Sequence, residues 1–128
     1  MLTDTLADML NTIKVAEHKG IKEVKVRSTK LAKEVLKVME RYNYVKGFSE
    51  VEENGKKFLK VQLAGTINMC GVIKPRAPVS AEEWPEKEQQ YLLGYNTGIL
   101  IVTTSAGVMS NREAFERRIG GRLLGYIY

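Results

Sequence analysis

Three consecutive hydroxyl side chains followed by two small residues are the most specific chemical feature of the sequence. They occupy Thr103-Thr104-Ser105-Ala106-Gly107, directly after an apolar run. Each hydroxyl can both donate and accept a hydrogen bond, which matches the 2′-hydroxyls that folded RNA displays. Gly107 and its small neighbours would let a sugar-phosphate chain approach the backbone closely. The alternative is an ordinary connection between elements, because Ser, Thr and Gly favour turns in any setting.

Basic side chains form a second feature. Between Lys14 and Lys46 there are ten Lys or Arg residues and four Glu. In one predicted helix the cations recur every three or four residues and therefore share a face: Lys30, Lys33, Lys37 and Arg41. The alternative is a solvated helix face that Glu34 and Glu40 partly neutralise. Lys74 and Arg76 stand beside two prolines, which restrict the backbone and orient these cations.

No residue pattern predicts catalysis, a metal site or a cofactor. Ser105 leaves a strand, but position 103 is Thr, so the Gly-x-Ser-x-Gly of a nucleophile elbow is missing. The only histidine, His18, has no neighbouring nucleophile or orienting carboxylate. The only cysteine, Cys70, lies in an apolar stretch and is expected to be a buried, inert thiol. The glutamates between residues 82 and 88 are expected to form a solvated helical face.

The composition is that of a folded, basic protein. The 128 residues are 44% apolar, which is too high for a disordered tail. Their formal charge of +5 favours a polyanionic partner. The N-terminal segment lacks the basic leader of a secretory signal, and no window approaches the roughly 18 apolar residues of a membrane span. We therefore expect a soluble, cytoplasmic protein with no membrane partner.

The chain opens with a predicted amphipathic helix. Apolar residues recur at helical spacing from Leu6 onwards, Thr3 or Asp4 can cap the N-terminus, and Gly20 ends the helix. Alternation over Lys22–Arg27 then predicts a short strand.

A second helix and a hairpin complete the first half. Ser28 or Thr29 can cap this helix. Tyr44–Glu52 and Lys57–Leu63 then flank Asn54-Gly55, the strongest short hairpin signal, because both turn residues need positive φ. The first half is therefore predicted as α-β-α-β-β.

The proline-rich segment Lys74-Pro75-Arg76-Ala77-Pro78 predicts a domain boundary. We place it between two lobes of residues 1–74 and 75–128. Ser80-Ala81-Glu82-Glu83 has the capping-box pattern that opens a short helical turn.

The remaining segments surround the hydroxyl-rich loop. Ile99–Val102 is a continuous apolar run, as in a strand covered on both faces. Ser110-Asn111-Arg112-Glu113 is a second capping box, which predicts a helix to about Arg118. Gly120-Gly121 ends that helix, and a final strand is predicted over Arg122–Tyr128.

Motifs across nearly the whole chain resemble the small-subunit ribosomal protein eight family, in its archaeal and eukaryotic branch. The resemblance is closest in the C-terminal part, and the block at residues 70–76 looks like that branch rather than the bacterial one. The matching residues are Thr103 to Ser110, Glu113-Ala114, Gly120-Gly121, Leu123 to Tyr128, Leu6 to Asn11, Ser28 to Leu31 and Cys70 to Arg76.

This resemblance implies a two-lobed α/β (α+β) protein with a mostly β C-terminal lobe and a short helix. It implies primary binding to the central domain of small-subunit ribosomal RNA and help in assembling the platform, beside neighbouring small-subunit ribosomal proteins. Binding to its own messenger RNA stays open. The implied RNA contacts are Thr103, Thr104 and Ser105, then Gly120, Gly121 and Arg122, with secondary contacts at Ser28, Thr29, Lys30, Lys74 and Arg76.

Two other classes of protein are alternatives to an RNA-binding protein. A phosphoryl-transfer enzyme could use Thr103–Gly107 as a phosphate cradle, but no Walker lysine follows Gly107. A DNA-binding module would need a recognition helix with base-reading side chains, and none is evident. The sequence thus predicts a non-enzymatic RNA-binding protein with no DNA partner.

Overall fold

The chain forms two compact units, which divide between Asn68 and Met69. The computed structural model describes residues 5–74, 76–92 and 98–128. The proline-rich segment predicts a later boundary, between residues 74 and 75. The earlier division arises because Cys70–Val72 pairs with a strand near the end of the chain. The segment around residues 74–78 therefore lies inside the second unit and is not a linker.

The first unit has the predicted order α-β-α-β-β. The elements are α1 (Thr5–Lys19), β1 (Glu23–Arg27), α2 (Lys30–Arg41), β2 (Val45–Glu53) and β3 (Lys56–Leu63). The three strands form an antiparallel sheet in the order β1-β3-β2.

Local signals set the ends of these elements. Gly20 adopts a φ of 74°, which ends α1 in the left-handed conformation that glycine favours. Thr29 rather than Ser28 caps α2, and its hydroxyl accepts from the Ala32 N–H at 3.0 Å. The hairpin between β2 and β3 is confirmed: Asn54 and Gly55 have φ values of 52° and 77°. The expected caps of α1 at Thr3 and Asp4 lie outside the described residues.

The core of the first unit lies between the two helices and the sheet. α1 contacts β1 and α2, and α2 contacts β2. Apolar residues at helical spacing on α1 and α2 and on alternate positions of β3 are buried: Leu6, Met9, Leu10, Ile13, Val35, Leu36, Met39, Leu59, Val61 and Leu63.

The second unit is mostly β, with two helices in its described part. The elements are β4 (Cys70–Val72), β5 (Pro78–Val79), α3 (Trp84–Tyr91), β6 (Ile99–Thr104), β7 (Gly107–Ser110), α4 (Asn111–Glu116) and β8 (Gly121–Ile127). The strand order in the sheet is β4-β8-β6-β7, and β5 also pairs with β8. α4 contacts β6 and β7, and α3 contacts α4 and β6.

Two expectations for this unit need correction. Thr103 and Thr104 belong to β6, so the segment Thr103–Gly107 is the end of a hairpin rather than a loop leading into a helix. Ser80 does not cap a helix. Its hydroxyl donates to the Glu83 carboxylate at 2.6 Å and closes a turn, and α3 begins only at Trp84, with a proline in its first turn. The capping box at Ser110 is present as predicted, and its hydroxyl accepts from the Glu113 N–H at 3.2 Å.

Candidate nucleic-acid interface

The hydroxyl-rich segment is the tip of the β6–β7 hairpin. Thr104 pairs with Gly107 across the two strands, which leaves Ser105 and Ala106 as the turn. Gly107 has a φ of 114°, a conformation that side-chain-bearing residues rarely adopt. A tight turn between antiparallel strands does not have the strand–loop–helix geometry of a phosphate-binding loop. The structure therefore disfavours the phosphoryl-transfer alternative.

The three hydroxyls of this hairpin are not equivalent. The Thr104 hydroxyl donates to the Gly107 carbonyl at 2.9 Å and accepts from the Ala106 N–H at 3.1 Å, so it holds the turn together. The hydroxyls of Thr103 and Ser105 make no hydrogen bond within residues 5–74, 76–92 and 98–128. Thr103 is half-buried and Ser105 is exposed. Two of the three predicted hydroxyls are thus available to an external partner.

Gly120 and Gly121 allow close packing at the start of β8. A Cβ atom on Gly121 would collide with the Thr103 carbonyl oxygen, and it would lie 2.9 Å from Cγ2 of Thr104. A Cβ atom on Gly120 would lie 2.6 Å from the carbonyl oxygen of Val79. Both glycines therefore position β8 against its neighbours, which is a packing role and needs no contact with a ligand.

Arg122 lies directly across from Thr103 in the pairing of β8 with β6. Residues opposite each other in an antiparallel pair present their side chains on the same face. The exposed guanidinium also donates to the Arg76 carbonyl at 3.2 Å. A hydroxyl and a cation thus share one face at this end of the sheet.

Lys74 and Arg76 flank the same strand. The Ile73 N–H donates to the Leu124 carbonyl at 3.0 Å, and the Leu123 N–H donates to the Ala77 carbonyl at 3.3 Å, so Ile73 and Ala77 both lie beside β8. Lys74 and Arg76 are both exposed. The structure therefore gathers all the predicted contacts of the second unit along β8 and the tip of its neighbouring hairpin. We call Thr103, Ser105, Arg122, Lys74 and Arg76 the hairpin site.

The predicted contacts of the first unit form a separate group at the start of α2. Ser28 donates from its hydroxyl to the Glu50 carboxylate at 3.0 Å, and Thr29 uses its hydroxyl as the helix cap. Both hydroxyls therefore have structural roles already. Lys30, the first residue of α2, is exposed.

Three cations beside this group were not among the residues predicted to contact RNA. Arg27, Lys56 and Lys57 line an open cleft of about 340 Å³ together with Ser28 and Phe58. The sequence does show Lys56 and Lys57 directly after the Asn-Gly turn, at the start of β3. Their closeness to Arg27 depends on the register of β1 against β3, which pairs Arg27 with Phe58.

Glu50 neutralises part of the basic surface of this unit. Its carboxylate lies 2.5 Å from Lys33 Nζ and 3.9 Å from Lys57 Nζ. Hydrogen bonds from Lys33 and then Ser28 hold the pKa of the Glu50 carboxyl below its usual value of 4.5. Of the four cations predicted to share a face of α2, Lys33 is therefore neutralised by a carboxylate. This carboxylate belongs to Glu50 on β2 and not to a glutamate of the helix itself.

His18 and Cys70, the two residues whose types could serve catalysis, have ordinary surroundings. His18 is exposed, and its Nε2 is 3.1 Å from the carbonyl oxygen of Asn68. Cys70 is buried, as predicted. Within the described residues, no group of three His, Cys, Asp or Glu could hold a metal ion. None of the described helices has the length and hydropathy to cross a membrane.

Comparison with known proteins assigns the chain to a family. Residues 4–128 match the family model described as Ribosomal protein S8. The chain belongs to the ribosomal protein S8 family. Relatives named Small ribosomal subunit protein uS8 from Thermoplasma volcanium and Thermoplasma acidophilum are each 50% identical to it, and that from Archaeoglobus fulgidus is 46% identical. In all three the alignment of 130 residues covers the whole of both chains.

Membership of the S8 family agrees with the resemblance drawn from the C-terminal motifs. The archaeal relatives also agree with the branch indicated by residues 70–76. The mixed α+β fold with two antiparallel sheets confirms the predicted fold class.

Proposed function

We propose that this S8-family chain is a non-catalytic, structural constituent of the small ribosomal subunit in the cytoplasm, where it binds the subunit's ribosomal RNA. Full-length similarity to relatives named as small ribosomal subunit proteins supports this role. The net charge of +5 is of the sign that a polyanionic partner requires.

The hairpin site is the proposed RNA contact of the second unit. The observation that supports it best is the pairing of Thr103 with Arg122 on one face of the sheet. A guanidinium can bind phosphate oxygens in a bidentate manner, and a free hydroxyl can donate to or accept from a ribose 2′-hydroxyl. A site with both groups on one face of the sheet can distinguish RNA from a simple polyanion.

The first unit is proposed to add a second, more electrostatic contact. Lys30 lies at the start of α2, and the neighbouring cleft adds Arg27, Lys56 and Lys57. Because the hydroxyls of Ser28 and Thr29 are used within the protein, we assign this group to phosphate neutralisation rather than to sequence recognition.

The wider assembly role follows from the family resemblance. The proposed RNA target is the central domain of small-subunit ribosomal RNA, and binding there would help to assemble the platform beside neighbouring ribosomal proteins. Binding of the chain's own messenger RNA is a further proposal of the same kind, since any RNA that reproduces the target structure would fit the hairpin site.

A nuclease footprint of the purified chain on small-subunit ribosomal RNA tests the function. We expect protection confined to one region of the central domain. Arg122→Gln should weaken binding about tenfold or more, because hydrogen bonds to charged groups contribute about 1.5–3 kcal/mol. Arg117→Gln is the matched control, since Arg117 is an exposed arginine at the end of α4. Equal losses in the two variants, or protection spread over the whole RNA, would contradict the proposal.

A further inference from the structure

One face of the three-stranded sheet in the first unit is open to solvent. Successive side chains of a strand point to opposite faces, and packing against α1 and α2 buries only one of them. On β3 the buried positions accordingly alternate with exposed ones, which are Lys56, Lys60 and Gln62. Phe58 has the same spacing and is half-buried. We call this side of the sheet the outer face.

Phe58 is an aromatic residue on the central strand of the outer face. Arg27 on β1 and Val51 on β2 lie directly opposite it in the two strand pairings. Phe58 also lines the open cleft of about 340 Å³ beside Arg27 and Lys56. That volume falls within the range of about 300–1,000 Å³ typical of small-molecule sites. The ring is therefore reachable from solvent at a place large enough for a planar group.

The cations around this ring leave the outer face with a surplus of positive charge. Four of them share the face with Phe58: Lys25, Arg27, Lys56 and Lys60. Lys25 Nζ lies 2.5 Å from a carboxylate oxygen of Glu53, and Lys60 Nζ lies 3.7 Å from one of Glu23. Arg27 and Lys56 form no ion pair with the described residues. A ligand of this face should therefore be anionic.

The ion pair between Lys25 and Glu53 lies over the aromatic ring. Lys25 is on β1 and Glu53 is on β2, so the pair spans the central strand. Lys25 Nζ is 5.0 Å from the centroid of the Phe58 ring, which is within the roughly 6 Å of a cation–π contact. The two side chains are 42% and 53% exposed, and exposed ion pairs contribute little to stability. A ligand that stacks on the ring can therefore displace Lys25 at small cost.

We propose, on the basis of the RNA-binding function proposed above, that the outer face binds an unpaired segment of RNA. One base stacks on the Phe58 ring, and Arg27 and Lys56 bind the phosphates beside it. Opposite residues of paired strands have Cβ atoms about 4.5–5.5 Å apart, so Arg27 can reach the phosphate of a nucleotide whose base lies on Phe58. Unpaired bases can turn out onto aromatic side chains, whereas the bases of a duplex are stacked on one another.

Stacking gives the first unit a selectivity that phosphate contacts alone do not have. Every base has a π face, so a single aromatic ring accepts bases with little regard to sequence. The ring instead distinguishes unpaired from paired RNA. The outer face thus adds a preference for single strands, while the hydroxyls of the hairpin site contact ribose.

Binding of the full-length chain to a labelled oligoadenylate of about eight nucleotides, a length that one small domain can cover, tests the proposal. Phe58→Leu removes the ring and keeps an apolar side chain on a solvent-facing position. It should weaken binding about fivefold or more, the lower end of the loss for one stacked base. Phe115→Leu is the matched control, because Phe115 is a 49% exposed ring of the second unit. This control should bind as the parent does.

Phe58→Trp keeps a ring at the same position and reports stacking directly. The native tryptophan, Trp84, is fully buried, so quenching of fluorescence by the oligoadenylate would arise from the introduced indole. We expect saturable quenching and an affinity at least equal to that of the parent. This variant also decides the question if Phe58→Leu does not fold. A fully paired RNA duplex and oligoglutamate, added as competitors, should displace the oligoadenylate only weakly.

Three results would overturn the proposal. One is parent-like affinity of folded Phe58→Leu. Another is the lack of quenching in Phe58→Trp. The third is displacement by the duplex or by oligoglutamate as effective as that by unlabelled oligoadenylate, which would make the outer face a surface for any polyanion. Each of these results would leave the footprint on ribosomal RNA and its dependence on Arg122 intact, whereas failure of the proposed function would remove the footprint itself.

Discussion

Thr103 and Thr104 are adjacent residues of β6 whose hydroxyls have different partners, so the same substitution should have different effects at the two positions. Changing Thr to Val removes the hydroxyl and keeps the shape of the side chain. The Thr104 hydroxyl makes two hydrogen bonds within the hairpin, to Gly107 and from Ala106. At about 0.5–1.5 kcal/mol each, Thr104→Val should lower the free energy of unfolding by about 1–3 kcal/mol. Thr103→Val should change it by less than about 0.5 kcal/mol.

For RNA affinity the order of the two positions should be reversed, with the larger loss at Thr103 and the smaller at Thr104. Thr103→Val combined with Ser105→Ala removes the two hydroxyls that are free to contact RNA. By the same scale the loss is about 1–3 kcal/mol of binding free energy, or about 5- to 150-fold in affinity for the cognate RNA. An unrelated structured RNA should be affected much less, because hydroxyls add little to the salt-dependent, non-specific term. Thr104→Val should cost less affinity than the double variant.

Urea unfolding and filter binding to the two RNAs, at a temperature where every variant is folded, measure both effects. Two outcomes would refute the reasoning. If Thr103→Val destabilises the chain as much as Thr104→Val, the two hydroxyls do not differ as the structure indicates. If the folded double variant keeps the parent's preference for the cognate RNA, the hairpin is a connector and recognition lies elsewhere.

Three further predictions concern charge, packing and pH. Replacing Lys74 and Arg76 by Ala should flatten the log–log dependence of RNA affinity on salt by about 1 to 2 units, at roughly 0.7–0.9 per phosphate; an unchanged slope means that these cations do not contact phosphates. Gly121→Ala should lower the free energy of unfolding by about 1–3 kcal/mol in urea, because its Cβ would meet β6; an unshifted urea midpoint contradicts that contact. The pKa of Glu50 is lowered in the folded chain, so its stabilising contribution is present above the usual value of 4.5 and is lost as pH falls through the folded pKa. Glu50→Gln should therefore have a shallower fall of stability in acid than the parent, and identical pH profiles would exclude the contribution.

Features that depend on near neighbours could be predicted from the sequence. The Asn54-Gly55 hairpin and the Ser110 cap each need residue types at fixed short spacing, and both are present in the structure. The first unit follows from such signals almost completely. Even there the sequence did not decide between Ser28 and Thr29 as the cap of α2. What decides it is a long-range contact, since the Ser28 hydroxyl donates to Glu50 on β2.

Features that depend on long-range register could not be predicted. Thr103 lies opposite Arg122 because the pairing of β6 with β8 shifts register between Ile101 and Val102. No local sequence pattern indicates this shift. The internal role of Thr104 depends on its pairing with β7, a strand that the sequence pattern did not predict. Glu88, predicted on a solvated face, is only 8% exposed because α3 packs against α4. In each case the missing information is which distant segment lies alongside, and hydrophobic periodicity does not contain it.

The position of β8 in the chain has a consequence for the timing of synthesis. β8 comes later than β4, β5 and β6, and it pairs with all three. A polypeptide leaves the ribosome N-terminal end first, at about 5–20 residues per second. All the strands of the first unit precede residue 64, so its sheet can form while the rest is still being made.

The sheet of the second unit cannot form at an early stage of synthesis. Until residues 121–127 have emerged, β4 and β5 lack the strand they pair with, and Thr103 has no Arg122 opposite it. The hairpin site is therefore completed in one late step, when β8 inserts between β6 and the two short strands. A nascent chain stopped before residue 121 would lack Arg122, so only the contacts proposed for the first unit could reach RNA.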